Sequence, residues 1–434
     1  MACARRGGKG NAPRLRFGVP ETSSSPYASL RLPNFRRFII GLFAFTMAIQ
    51  IQGTVVGWQI YELTHDKLAL GLIGLAEALP FISASLYAGH VADRHDRRRL
   101  VLAALVMLLV CAVLLLILPF LLPAAPHAVV RAIYCVIVLS GLSRSFLQPA
   151  RSALAAELVP RALYGNAITW RSGTWQLASV LGPAIGGLLF AAGGSALAYA
   201  ADATLMLVGA STVFLIAHRS EIKPEHKEAM AKSLKAGIRF VWSEPLILGA
   251  LSLDLFSVLF GGATALLPVY AAEILHVGPS GLGLLRASPA IGAVAMSVAL
   301  AWMPFRKAGH SLFIAVALFG ACIIVFGLST SMWISVAALV LSGAADMVSV
   351  FIRSSLLQHR TPVHMLGRVT SVNSIFVGSS NEIGAFESGV TAKLFGTVPS
   401  VVLGGVATLV VVAVTAWRVP ALRKLGRMET TTAA

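Results

Sequence analysis

The sequence predicts an all-α polytopic membrane protein, with twelve transmembrane helices in two pseudo-symmetric six-helix bundles, and three observations carry that prediction. First, 57% of the residues are hydrophobic and only 12% are charged, against roughly 25% charged in water-soluble domains. So few charges cannot cover a surface facing water, and lipid has to be the solvent. Second, apolar runs of about 20 residues recur along the chain, the length that crosses a ~30 Å hydrocarbon core at 1.5 Å per residue. Third, the chain repeats itself. Arg151-Ser152, Leu154, Pro160, Gly165, Ser172, Gly182 and Gly187 each find the same residue 202 positions later, at Arg353-Ser354, Leu356, Pro362, Gly367, Ser374, Gly384 and Gly389. Gly74, Leu75, Ala78 and Pro80 are echoed by Gly283, Leu284, Ala287 and Pro289 at an offset of 209.

Taken in order, residues 1–36 hold Gly, Pro, Ser and Arg without an apolar core and read as a disordered cytoplasmic tail, not a cleavable signal peptide. The N-terminal bundle (37–217) places its spans near 38–62, 69–89, 100–122, 128–148, 165–191 and 196–217. A linker (218–245) follows, in which Lys232 to Trp242 alternate apolar and basic residues at helical spacing, the pattern of a surface helix lying on the membrane. The C-terminal bundle (246–418) places its spans near 246–272, 280–303, 310–328, 332–356, 368–395 and 398–418, and 419–434 forms a second cytoplasmic tail.

The charges orient this array. Of the 35 lysines and arginines, clusters fall in the N-terminal tail and at Arg94–Arg99, Arg219–Arg239, Arg306–Lys307, Arg353–Arg368 and Arg418–Arg427, all on one side if twelve helices alternate. The opposite loops offer Lys67, Arg131 and Lys393, so both termini are expected in the cytoplasm. The formal charge of +17 is therefore topological. Because it is dispersed over loops, nucleic acid is excluded as a partner and anionic lipid headgroups are expected. Cys3, Cys111, Cys135 and Cys322 lack metal-ligand spacing, and neither a metal nor a cofactor is expected. His-Glu-x-x-His, a nucleotide-binding glycine loop and a serine elbow are all missing from the sequence, so enzyme chemistry is not expected.

Between the second and third spans stands Gly89-His-Val-Ala-Asp93-Arg94-His-Asp-Arg97-Arg98. It resembles the signature loop of the major facilitator superfamily of transporters, Gly-x-Leu-Ala-Asp-Arg-x-Gly-Arg-Arg, with Val91 and Asp96 as the departures. Ser233 to Phe240, Leu356 to Arg368 and Leu32 to Arg37 resemble the bacterial exporter branch that includes the enterobactin exporter and macrolide efflux pumps. Gly182-Pro183-x-x-Gly186-Gly187 is similar to the end of the motif shared by antiporters of the superfamily, although Ala178 and Thr169 stand where the fuller motif has glycines. Close helix packing alone is the other reading of those small residues.

The resemblance implies secondary active transport, proton-coupled efflux of a small drug- or siderophore-like amphiphile by alternating access. A proton-independent carrier of the lysophospholipid type is the alternative. It implies a multi-pass protein of the bacterial cytoplasmic (inner) membrane, working as a monomer with its substrate, protons and lipids as partners. It also implies a conformational latch at Gly89, Asp93, Arg94, Arg97 and Arg98, with Asp93 meeting the start of the eleventh span near Arg368.

An ionisable side chain at mid-bilayer costs roughly 2.5–3.5 kcal/mol on insertion scales, so each needs a partner, a proton or a wet cavity. Glu77 and Asp254 lie near the midplane of the second and seventh spans and are candidates for proton coupling. A structural ion pair with Arg286 is the competing reading, since Glu77 and Arg286 are repeat equivalents. Asp346 has Arg353 seven residues on along the same helical face, which favours a structural pair there. Gln50, Gln52, Gln176, Arg286, Asp346, Asn381 and Glu382 are the candidate cavity lining, with Trp58, Trp170 and Trp175 either flanking it or anchoring helices at the interface. The surplus of buried acids over Arg286 points to a cationic head on the cargo.

Overall fold

A computed structural model describes residues 25–121, 125–218, 230–302 and 307–426. Helix α1 (Pro33–Thr64) starts on a proline, whose missing N–H is no loss in a first turn, and stops at His65, which turns left-handed with φ 49°. Asp66 then caps α2 (Lys67–Arg94), its carboxylate accepting from Leu68 N at 3.0 Å. Next come α3 (Arg97–Leu121) and α4 (Pro126–Glu157). The 51-residue run Tyr164–Phe214 is two spans, because Gly193 and Gly194 leave helical geometry and Gly194 takes φ 66°, which a Cβ would resist. Its arms are α5 (164–192) and α6 (195–214).

After the connecting segment come α7 (Met230–Ser243) and α8 (Pro245–Gly261), the latter continued through a π-helical turn Tyr270–Ile274. Then follow α9 (Gly278–Trp302), α10 (Ala308–Leu328), α11 (Met332–Arg360), α12 (Val363–Phe395) and α13 (Thr397–Arg418). Among the described residues, ten segments are long and apolar enough to cross a membrane. Counting the broken run as two, and adding α12, whose serines, Asn381 and acids dilute its hydropathy, makes twelve crossings. His276, at the end of the seventh span, is left-handed at φ 52° and mirrors His65, so the repeat extends to the turn chemistry.

The tails and linker differ from the sequence reading. Residues 1–24, 219–229 and 427–434 lie outside the described residues. Residues 25–32 are folded onto α5: Asn166 accepts from Ser29 N at 3.1 Å, and Trp170 Nε1 donates to Pro26 O at 2.9 Å. Helix α7 does not simply lie on lipid. Its Val241 packs with Val369 and Val372 of α12, and a Cβ on Gly237 would sit 3.0 Å from Arg368 O. A short turn Pro420–Arg423 buries Leu422, and Gly309 N bonds Leu425 O at 3.1 Å, which fastens the last described residues beneath α10.

The two halves close on each other at the end opposite the termini. There Tyr61 of α1 hydrogen-bonds Glu273 of the seventh span, and Lys393 of α12 meets Asp66 at 3.3 Å. Small residues make this closure possible. A Cβ on Gly71 would sit 3.0 Å from Gly389 Cα, and one on Gly187 would sit 2.8 Å from Gly283 Cα, so α2 rests on α12 and α5 on α9 almost backbone to backbone. At the terminal end, Gly165 and Gly173 of α5 and Gly367 of α12 have open space where a side chain would go.

Candidate functional site

Between the halves lies a cavity of about 250 Å³ lined by Thr46, Ile49 and Gln50 of α1, Glu77 and Phe81 of α2, Arg144, Leu147, Gln148 and Arg151 of α4, Trp175 of α5, and Gly378 and Glu382 of α12. That volume lies just below the roughly 300–1,000 Å³ common for small-molecule sites. Helical spacing explains the lining of α4: Arg144, Gln148 and Arg151 fall at i, i+4 and i+7, one face of one helix. Glu77 forms an ion pair with Arg144, the two side chains being 23% and 22% exposed. Glu382 lies within electrostatic reach of Arg144 and Arg286, and among the described residues it forms no ion pair.

A second, much smaller cavity of about 10 Å³, room for one water, lies inside the C-terminal half and is lined by Asp254, Ser257, Asp346 and Ser349 among others. Asp254 is paired there with Arg353, both nearly buried at 7% and 5% side-chain exposure.

Residues 38–385 match the model of the Major Facilitator Superfamily. The chain belongs to this superfamily. It is 28% identical over 397 residues to the Enterobactin exporter EntS of Shigella flexneri, covering 87% of this chain and 90% of that one. The Enterobactin exporter EntS of Citrobacter koseri is equally similar, 28% over 398 residues with the same coverage. The exporter-branch resemblance read from the sequence is thereby borne out. Among solved structures, a POT family transporter in complex with 5-aminolevulinic acid superposes with a TM-score of 0.70 at 15% identity, covering 89% of this chain and 96% of that chain. The peptide transporter POT in complex with sulfate gives 0.70 at 14% identity, covering 91% and 96%. At such identities the likeness is one of fold. As a superfamily member the protein is a multi-pass membrane transporter.

Against this frame of a facilitator fold, Gln50, Glu77 and Glu382 meet at the central cavity, whereas Asp254 and Asp346 meet at the small one. Gln52 is buried in α1 and Gln176 is half-buried on α5, and neither lines the cavity. Asn381 is exposed and donates to Val377 O of its own helix at 2.9 Å. Two pairings differ from expectation. Glu77 is held by Arg144 and not by Arg286, which instead donates to Gly53 O of α1 at 2.7 Å. Arg353 neutralises Asp254 and not Asp346. The first pairing follows from packing, since α2 runs along α4, and the second arises because helices that cross bring charges together more closely than two turns along one helix do.

The antiporter-like motif divides its work between two faces of α5. A Cβ on Gly182 would sit 2.5 Å from Gln50 Cβ and one on Gly186 3.1 Å from Ile51 Cα, so this face admits α1. Pro183 O and Gly187 face the other way, against Gly283 of α9. In the signature loop, Asp96 Oδ1 accepts from Arg99 N at 3.2 Å, so the aspartate that replaces the family glycine caps α3. Arg97 pairs with Glu157 of α4, and Arg98 donates to Val213 O at 3.3 Å and also to Phe214 O. These contacts fasten the loop within its own half. Gly89 is half-buried and Arg94 exposed, while the side chain of Asp93 lies outside the described residues.

Sequence reasoning passed over Arg144, Arg151 and Asp202. Arg151 stands just beyond the predicted fourth span (128–148), where a count of basic residues assigns it to the membrane surface, whereas Arg144 lies inside that span and was overlooked beside the acids. Asp202 is fully buried in α6 with both carboxylate oxygens lacking a hydrogen-bond partner among the described residues. Its position seven residues into an apolar span was the available signal.

Proposed function

We propose that this transporter is a proton-coupled exporter, which moves a small amphiphilic organic molecule out of the cell across the bacterial cytoplasmic membrane by alternating access, with both termini in the cytoplasm. The observation that carries the reading is the cluster Glu77–Arg144–Glu382, in which Glu77 pairs with Arg144 while Glu382 of the opposite half lines the same cavity within electrostatic reach of that arginine. Glu77 and Arg144 belong to the N-terminal half and Glu382 to α12. When Glu382 is ionised it competes for Arg144 and draws α12 toward that half. When it takes a proton the attraction is lost and the halves part. A proton taken up from one side and released on the other is thereby tied to the rocking motion. This moves the coupling role onto Glu382 with Glu77, and leaves Asp254 as the inner brace of the C-terminal half.

Purified Glu382→Gln protein in proteoliposomes tests the reading. It is expected to exchange substrate down its gradient but not to concentrate it when a pH gradient is imposed, and pH-driven accumulation equal to wild type overturns the assignment. The relatives named as enterobactin exporters make a siderophore-sized cargo the first to assay.

A further inference from the structure

The repeat places Arg151-Ser152 of α4 at the position of Arg353-Ser354 of α11. In the C-terminal half this arginine is neutralised by Asp254, from that half's first span. In the N-terminal half the first span, α1, contains no acid before Glu62 near its far end. Arg151 therefore lacks the brace its twin has. It lines the central cavity, and among the described residues it forms no hydrogen bond or ion pair. Arg171 of α5 acts on it as a second positive charge, and it too has no acidic partner among the described residues. Arg171 stands one turn before Trp175, at i and i+4, which puts it beside the cavity-lining indole on α5. Two like charges that act on each other beside the cavity repel and cost solvation, and an anion between them offsets both penalties.

We propose that Arg151 and Arg171 form a binding subsite for the acidic group of an amphiphilic anion, whose apolar body lies against Trp175 and Phe81. This rests on the exporter reading and names its substrate class. It replaces the cationic head expected from the sequence, because Arg144 and Arg151 cancel the surplus of acids once they are counted as cavity residues. The cavity-lining Arg151 guanidinium suits a planar acid such as a carboxylate, which it can bind with two hydrogen bonds, while Arg171 adds to the positive field. Two turns separate Arg151 from Arg144, so an acid bound at the subsite leaves the Glu77–Arg144–Glu382 cluster free for its proton.

Three probes of one chain length test the site: N-dodecanoylglycine, its methyl ester, and dodecyltrimethylammonium. Binding to full-length protein in nanodiscs is read as quenching of Trp175 fluorescence, taken as wild type minus Trp175→Phe. The carboxylate is expected to bind about tenfold more tightly than the ester or the ammonium, the range of one charge-assisted pair. Arg151→Gln should abolish that preference and Arg151→Lys should keep most of it. Equal binding of all three probes by wild type overturns the proposal without any variant, and so does an unchanged preference in a folded Arg151→Gln protein. The two readings fail separately. A charge preference without pH-driven transport sinks the proton-coupled exporter and leaves the anion subsite standing. Proton-driven transport of all three probes alike does the reverse.

Discussion

In the N-terminal half Glu77 on α2 is held by Arg144 on α4, whereas the repeat places Arg286 on α9 and Asp346 on α11 at the same two positions of the C-terminal half. The charges are exchanged between the halves, and so is their use. The Glu77–Arg144 pair is closed within its own half. Its counterpart is open: Arg286 reaches across to Gly53 O of α1, while Asp346 faces the small cavity beside Asp254. A pair satisfied inside one half survives any rocking of the halves. A bond from one half to the other has to break when they separate at that level, and because the repeat pairs the equivalent positions in the N-terminal half, Asp346 on α11 is the acceptor expected for Arg286 in that form. A duplicated pair of positions has thus become a cavity pair within one copy and a contact between halves in the other.

The largest effects are expected when the cavity pair Glu77–Arg144 is set against the inner brace of the other half, Asp254–Arg353, by removing the arginine from each. Arg353→Leu strands Asp254, which is nearly buried, and should cost ~3–5 kcal/mol, the usual effect of leaving a buried charge uncompensated. Low yield and a lower thermal midpoint in detergent are the expected readouts, and Asp254→Leu added to it should restore most of the loss. Arg144→Leu strands Glu77 beside a wet cavity with its side chain 23% exposed. It should melt closer to wild type and lose transport instead. If the two single variants melt alike, the distinction between inner brace and cavity pair is wrong.

How much of this was legible in the sequence follows from what each feature depends on. The twelve crossings, the two halves and the break at Gly193-Gly194 rest on local hydropathy and glycine chemistry, which are visible residue by residue. The cavity was only half legible. Gln50, Glu77 and Glu382 stand out because polar groups are costly at mid-bilayer. Arg151 does not, because just past a span's end an arginine looks the same whether it turns to headgroups or into a cleft; Arg144, inside the span, carried the same signal as the acids and was passed over. Pairings were the least legible. Helical spacing suggested Asp346 with Arg353, but a neighbouring helix supplied Asp254 at closer range, and crossing geometry is a tertiary fact that no single span encodes.

A smaller effect is expected from the bond that crosses between the halves. Arg286→Met removes a charged donor to Gly53 O, worth about 1.5–3 kcal/mol, and should shift the balance toward the form open at the end opposite the termini. Spin labels at positions 67 and 393 would report it as a longer distance population. Asp346→Asn should do the opposite, because it weakens the acceptor that awaits Arg286 in that form. Shifts of the same sign in both variants would show that the two positions do not exchange partners.

The smallest effect belongs to the outermost closure. Lys393 and Asp66 meet at 3.3 Å with side chains 52% and 41% exposed, so solvent and salt screen them, and an exposed pair of this kind contributes about 0–1 kcal/mol. Lys393→Ala should therefore move the closed population less than Arg286→Met does. Raising wild type to 1 M salt, where the screening length falls to ~3 Å, should reproduce the same small shift and add nothing to the variant. Labels at the exposed positions 62 on α1 and 394 on α12 would read both, because they flank this closure without entering the glycine contact. A Lys393→Ala effect larger than that of Arg286→Met would mean that the exposed rim closes this end, and the contrast drawn between an inner brace and a contact across the halves would then lose its force.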